Sequence, residues 1–370
     1  SNENVYIKWV NDLPDKHLLP IDYTVHGAHK DVPDVRTVVH VHGACVEWES
    51  DGYPEAWFTK GFEKVGPYFK KQVYHYTNCD HACTLWYHDH TLGITRLNMY
   101  AGLAGFYLIR NQRERSLNLP SGRYDIPLLI QDKTFHQDGS LYYPKQPEKP
   151  VPGLETSIVP EFFGDTLLVN GKVNPFLKVE PRKYRFRLLN ASNSRFFRIK
   201  LDSGQRMYLI ATERGLMQQP IGVKEILLSP AERAEVIIDF TNLEGRKIIM
   251  TNDAPAPFPS GKAVDEQTGS VMQFRVTLPL SSVDTSVIPA SMMLIPFMHE
   301  QSASKERYLT LNDSVDQMGR PLMLLDNKQW DDPISENPKL GSTEIWYLIN
   351  LSEDSHPIHL HLVEFQILDR

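Results

Sequence analysis

The chain has 370 residues, 46 acidic and 39 basic, and its net charge of −7 with scattered basic side chains argues against a nucleic-acid binder. Hydrophobic residues make up 41% and charged ones 23%, as in ordinary globular proteins, and no run approaches the roughly 18 apolar residues of a membrane helix. Three cysteines exclude a dense disulfide scaffold, and the length predicts two or three domains, each able to bury a core.

The chain opens on a strand-like pattern, Val5–Val10. Further runs rich in β-branched and aromatic residues follow at Arg36–His42, Val73–Tyr76 and Leu103–Ile109. Asn170-Gly171, set between Leu167-Leu168-Val169 and Lys172-Val173, predicts a hairpin. Lys183–Leu189, Ala234–Phe240, Val271–Val276 and Glu344–Ile349 continue the pattern, and Val363–Leu368 closes it. The 26 prolines outnumber the 21 glycines and are spread throughout, which suits strand ends and turns and breaks helices. Few windows carry helical periodicity. The reading is all-β, in sandwiches or barrels.

A polar stretch, Asn111–Gly122, and a looser one from about Leu280 to Lys305 suggest the boundaries. They divide the chain into 1–111, 118–280, a linker at 281–303, and 304–370, the last short for a closed barrel. Strand-like runs at both ends, with no charged-then-apolar leader, predict a fragment without a visible signal peptide.

Of 14 histidines, seven fall in three clusters: His40-Val41-His42-Gly43, His88-Asp89-His90, and His356-Pro357-Ile358-His359-Leu360-His361. Residues i and i+2 of a strand share a face. His40 with His42, His88 with His90, and His359 with His361 are therefore expected as pairs of parallel imidazoles, with Trp86 on the second face and His356 set apart by Pro357. One such pair is explained by an ordinary strand surface. Three in one chain point to a metal site, although imidazole alone does not choose among copper, zinc, iron and nickel.

The motifs narrow the choice. His-x-His-Gly, then Trp-Tyr-His-Asp-His, then His-Pro-Ile-His-Leu-His resembles the multicopper oxidases. Ser50-Asp51-Gly52-Tyr53-Pro54-Glu55-Ala56-Trp57, Leu85–His90 and Thr343-Glu344-Ile345-Trp346 resemble their bacterial spore-coat laccase and bilirubin oxidase branch. The resemblance implies tandem cupredoxin-like Greek-key β-barrel domains, the third incomplete here. It also implies a trinuclear copper cluster between the first and third domains and a type 1 copper in the third. By the same resemblance His40 and His359 match type 2 copper ligands, and His42, His88, His90 and His361 match type 3 ligands. His356 matches a type 1 ligand, and Asp51 is a candidate for proton relay beside the cluster. Asp51 before Gly52 also suits a simple turn. Asp89, between two ligands, is expected to point away from the metals, in a supporting or surface role.

The family's His-Cys-His segment, with the thiolate and remaining ligands, is not in this sequence. A C-terminal segment missing from this chain or separate from it would have to complete the copper sites. Cys79-Asp80-His81-Ala82-Cys83 suits a local disulfide or free thiols better than a metal loop. Met292, Met293 and Met298 suit apolar packing.

The resemblance implies a laccase-type enzyme. It would take single electrons from phenolic, aromatic-amine or bilirubin-like donors and reduce O2 to water, with no nucleic-acid or membrane partner and with spore-coat localisation. Two alternatives stand beside it: a non-catalytic cupredoxin-type coat protein, and a metal-dependent hydrolase on a strand–helix barrel.

Overall fold

A computed structural model describes residues 1–370. Residues up to 116 supply β1 (Val5–Lys8), β2 (Val39–His42), β3 (Val73–Tyr76), β4 (Cys83–Asp89) and β5 (Ala104–Ile109), with helices α1 (Thr95–Ala101) and α2 (Gln112–Ser116). β1 pairs with β3, while β2 and β5 flank β4 in an antiparallel sheet. Alternation divides the two faces of this sheet. Val41, Cys83 and Leu85 join Tyr74, Tyr76 and Ile109 in a buried apolar cluster. His40, His42, Trp86 and His88 occupy the alternate positions, and all four are buried.

The middle of the chain is a two-sheet sandwich. Its strands are β6 (Asp125–Phe135), β7 (Leu141–Tyr142), β8 (Thr166–Val169), β9 (Lys172–Val173), β10 (Phe176–Val179), β11 (Lys183–Asn190) and β12 (Phe197–Leu201). They continue with β13 (Met207–Thr212), β14 (Gly215–Val223), β15 (Glu225–Leu228), β16 (Arg233–Asp239), β17 (Lys247–Asn252) and β18 (Ser270–Val276), the last preceded by helix α3 (Glu266–Gly269). One sheet runs β14-β13-β16-β11-β6-β8-β9, with β7 on β6, and the other β10-β18-β17-β12-β15. Between them lies a core of 24 buried residues centred on Phe186, Phe240 and Phe274. The expected Asn170-Gly171 hairpin joins β8 to β9.

β11 shows how this sheet serves two partners. Tyr184, Phe186 and Leu188 enter the core, so period two turns Arg185 and Arg187 to the opposite face. There they are buried against the first unit, with Arg187 fully inaccessible. Arg187 holds Asp125 through Nε (2.8 Å) and Nη2 (2.9 Å), and its Nη1 lies 2.8 Å from both Glu235 and Thr84. Arg185 pairs with Glu114 at 2.7 Å and donates from Nε to Glu235 at 2.7 Å. Arg110 closes the set on Asp125 at 2.8 Å. Three arginines thus face three carboxylates between β4, α2 and the middle sheet.

The last strands, β19 (Lys305–Val315), β20 (Pro321–Leu325) and β21 (Glu344–Asn350), form one sheet in the order β20-β19-β21. Residues 351–370 carry no strand, so the strand expected at Val363–Leu368 does not form. The segment pairs with no other strand, and Gln366 alone ties it to the stretch before β19, through Met298 N–H and the Pro296 carbonyl. Nor is the polar stretch after Asn111 simply a linker. It begins with α2, capped by the Asn111 side chain accepting from Glu114 N–H at 2.8 Å, and Glu114 is buried in the charge network. The stretch from 280 to 305 is strapped along the middle sheet. Met292 is buried against Leu119, Ile210 and Leu216, and its carbonyl accepts from Arg113 at 2.9 and 3.0 Å. Three short helices among 21 strands leave no strand–helix alternation for a hydrolase barrel.

Cys45 pairs with Cys79 across 34 residues, and Cys83 stays a buried free thiol whose burial pushes its pKa up to about 12. Neither the local 79–83 bridge nor three free thiols is found. Replacing Cys45 and Cys79 together by alanine should cost about 3 kcal/mol of stability through the freed unfolded loop. Urea unfolding of the oxidised protein and the variant measures the difference.

Candidate metal centre

Three segments converge on one point. β2 presents His40 and His42 on one face, and β4 runs beside it with His88 directly opposite His40. His90 lies just past the end of β4. His359 and His361 arrive from the irregular segment after β21, so this pair is not carried on a strand. Its rings still sit 4.6 Å apart, tilted by 54°.

His40 is central. Its ring stacks on His361 at 4.1 Å and lies 5.1 to 5.7 Å from His42, His88, His90 and His359. His42 stacks on His359 at 3.7 Å. The Nε2 atoms of His40 and His359 are 3.3 Å apart, as are His42 Nδ1 and His88 Nε2. Ligand atoms of His40, His42 and His88 lie within 4.8 Å of one another, and so do those of His40, His359 and His361.

Second partners fix the tautomers. Nδ1 of His40 donates to the Asp51 carbonyl (2.6 Å), that of His88 to the Asp89 carbonyl (2.8 Å) and that of His90 to the Gly52 carbonyl (3.0 Å). His361 Nδ1 donates to the Asp51 carboxylate at 2.8 Å. A carbonyl only accepts, so the proton must sit on Nδ1 and the lone pair on Nε2. Burial lowers His90 and His359 to about 3 and His42 and His88 well below their ordinary value. These rings are therefore neutral at pH 7, the form that binds metal. Neutral imidazoles with lone pairs turned inward suit copper, as they would zinc, iron or nickel.

The Asp51-Gly52 turn builds half of this frame. A Cβ at Gly52 would come within 2.3 Å of the Val39 carbonyl, and its φ of +82° is left-handed, so glycine is needed for the turn to press against β2. Burial would raise the Asp51 carboxyl, but hydrogen bonds from His361 and His40 outweigh it and hold the group well below the usual range.

His356 stands apart, with Nε2 2.6 Å from the Ser352 hydroxyl. Asp89 points away from the imidazoles, and of the two roles expected for it the structure shows the supporting one, its carbonyl fixing His88. It is buried and accepts from the hydroxyls of Thr37 and Thr91, each at 2.8 Å, and from Thr91 N–H at 3.0 Å. Sequence reasoning passed over Arg233, the first residue of β16. It donates to the Thr84 carbonyl at 3.1 Å, and its charge helps lower His42 and His359. Its signal was only an arginine at the head of an apolar strand, which reads as a strand end.

Multicopper oxidase family models match residues 29–114, 126–271 and 300–370. The whole chain aligns with a laccase of Bacillus subtilis at 51% identity and with one of Bacillus stratosphericus at 49%, covering 72% of each. Among solved structures, the multicopper oxidase McoA of Aquifex aeolicus superposes with a TM-score of 0.74 at 31% identity, over 90% of this chain and 71% of that one.

Proposed function

The chain belongs to the multicopper oxidase family, and from that premise we propose that its six converging histidines are the copper ligands of a laccase-type oxidase acting on small aromatic donors. The fold is cupredoxin-like and the enzyme is a copper oxidoreductase that uses oxygen and organic substrates. In our reading His40 and His359 hold the type 2 ion, and His42, His88, His90 and His361 hold the type 3 pair. His356, beyond the cluster, belongs to the type 1 site. Phenols, aromatic amines and bilirubin-like compounds are the donors, and the spore coat is the location. The working units are 1–111, 118–280 and 304–370, joined by 281–303; no sheet pairs across these limits.

One observation carries the reading. Four of the six rings have Nδ1 tied to an oxygen acceptor, which leaves Nε2 free to face the centre. Bound copper supplies the electron transfer that couples one-electron oxidation of the donor to reduction of O2 to water. The chain holds the geometry. The carbonyls of Asp51, Gly52 and Asp89 fix three ring planes, and the Asp51 carboxylate fixes His361. The buried Asp51 carboxylate, with Oδ1 3.2 Å from His40 Nδ1, stays ionised beside the centre and is placed to pass on protons that oxygen reduction consumes.

An oxygen electrode with a phenolic donor, used on the complete protein with all its copper ligands, tests the proposal. Uptake that scales with copper loading is expected. A fully loaded protein that consumes no oxygen would overturn it and leave a coat protein.

A further inference from the structure

We propose that Arg214 is a positioning residue that sets the spacing between the two halves of the histidine centre. This rests on the reading that the six histidines hold copper. Thr212 pairs with Gly215 at the tip of the β13–β14 hairpin, so Glu213 and Arg214 form a two-residue turn. The turn is pressed onto the first unit. A Cβ at Gly215 would approach the Ala82 carbonyl to 2.4 Å, and φ there is +110°. The base is pinned as well: Arg233 N–H donates to Glu213 at 2.7 Å while Arg233 Nε donates to the Thr84 carbonyl.

From this fixed tip one guanidinium reaches both halves. Arg214 Nη1 donates to the carbonyl of Gly43, the residue after His42. Nη2 lies 2.8 Å from Asp80, whose buried carboxylate also accepts from Cys45 N–H at 3.0 Å. The same Nη2 donates to Glu364, three residues after His361. The segment carrying His359 and His361 has no strand ladder, so side-chain contacts must hold it. On its C-terminal flank these are Glu364 to Arg214 and Gln366, which bonds Met298 N–H at 3.0 Å and the Pro296 carbonyl at 2.7 Å. A planar fork reaches a carbonyl and two carboxylates from separate nitrogens held in fixed directions, whereas the three donors of a lysine all leave from one nitrogen on a flexible stem.

The test uses the whole chain, with two readouts. Copper affinity is measured by competition with a chelator, and hydrogen exchange over residues 355–366 is measured on the metal-free protein. Arg214→Ala should weaken copper binding by about tenfold or more, the range for partners that orient metal ligands, and should speed exchange in that segment. Arg214→Lys should restore only part of both. Arg206→Ala, in the same hairpin but bonded only to the Gly222 carbonyl, should match the parent. Loss of Arg214 leaves Asp80 buried and unpaired, so Glu364→Ala, at an exposed site, decides the matter if Arg214→Ala does not fold. Faster exchange and weaker copper binding in Glu364→Ala support the proposal. Parental values for both readouts overturn it. A parent that binds no copper at these histidines defeats the site reading instead, and exchange in the metal-free chain then decides whether Arg214 tethers the segment.

Discussion

Arg187→Met is expected to destabilise the protein by about 3–5 kcal/mol, the cost of breaking a buried ion pair from one side. The side chain is fully inaccessible and holds Asp125, Glu235 and Thr84. Methionine fills the volume but leaves carboxylates buried with one cation fewer. Burial alone would raise Asp125 and Glu235, yet the arginines keep both below their usual values. Those shifts depend on the pairing that the substitution removes. Urea unfolding with a shifted midpoint and an unchanged slope is the measurement. A change below about 1 kcal/mol, the scale of an exposed pair, would show that the network is solvated in solution. Because Thr84 lies on β4, the loss should also loosen the sheet that carries His88.

His40→Ala should abolish the oxidase. His40 is the ring that all five others surround, at 4.1 to 5.7 Å, so its removal takes a ligand from both groups of three. Oxygen uptake should fall by more than the roughly 100-fold that marks the upper range for partners that only orient ligands. Copper per chain should fall with it. Asp51→Asn is the informative comparison. The Asp51 and Gly52 carbonyls still fix His40 and His90, and only the carboxylate is lost, so the fall should stay within about 10–100-fold. Equal losses for the two variants would mean that the proton role of the Asp51 carboxylate is as indispensable as a ligand. A His40→Ala protein that keeps its copper and its turnover would remove these histidines from the active centre.

The site was legible in the sequence because its signal is local. His-x-His spacing on β2, and on β4 as far as His88, is read directly from period-two alternation, and the Asn170-Gly171 hairpin carries its own turn chemistry. The charge network was not legible. Arg185 and Arg187 alternate with Tyr184, Phe186 and Leu188, which is also the pattern of a sheet with one wet face. Only the first unit packed on that face makes it dry, and nothing within eight residues of sequence announces a partner 100 residues away. The same limit applies to Val363–Leu368, whose alternation is sound but which pairs with no strand in the structure. Disulfide partners are likewise a property of the fold, because Cys45 and Cys79 meet only after β2 and β3 are in place.

The contact between His40 and His359 joins positions 319 residues apart. At translation speeds of about 5–20 residues per second, roughly 15–65 s separate the synthesis of its two sides. On the proposed reading, during that interval the nascent chain holds four of the six ligands, His40, His42, His88 and His90, with nothing to close the site. The order of synthesis therefore sets these four ligands ahead of the other two. The N-terminal half can gather imidazoles early, while an assembled centre must wait until His361 has left the ribosome and β21 has paired with β19. A fold that divides its reactive centre between distant stretches of chain makes synthesis of both stretches a condition for assembling that centre.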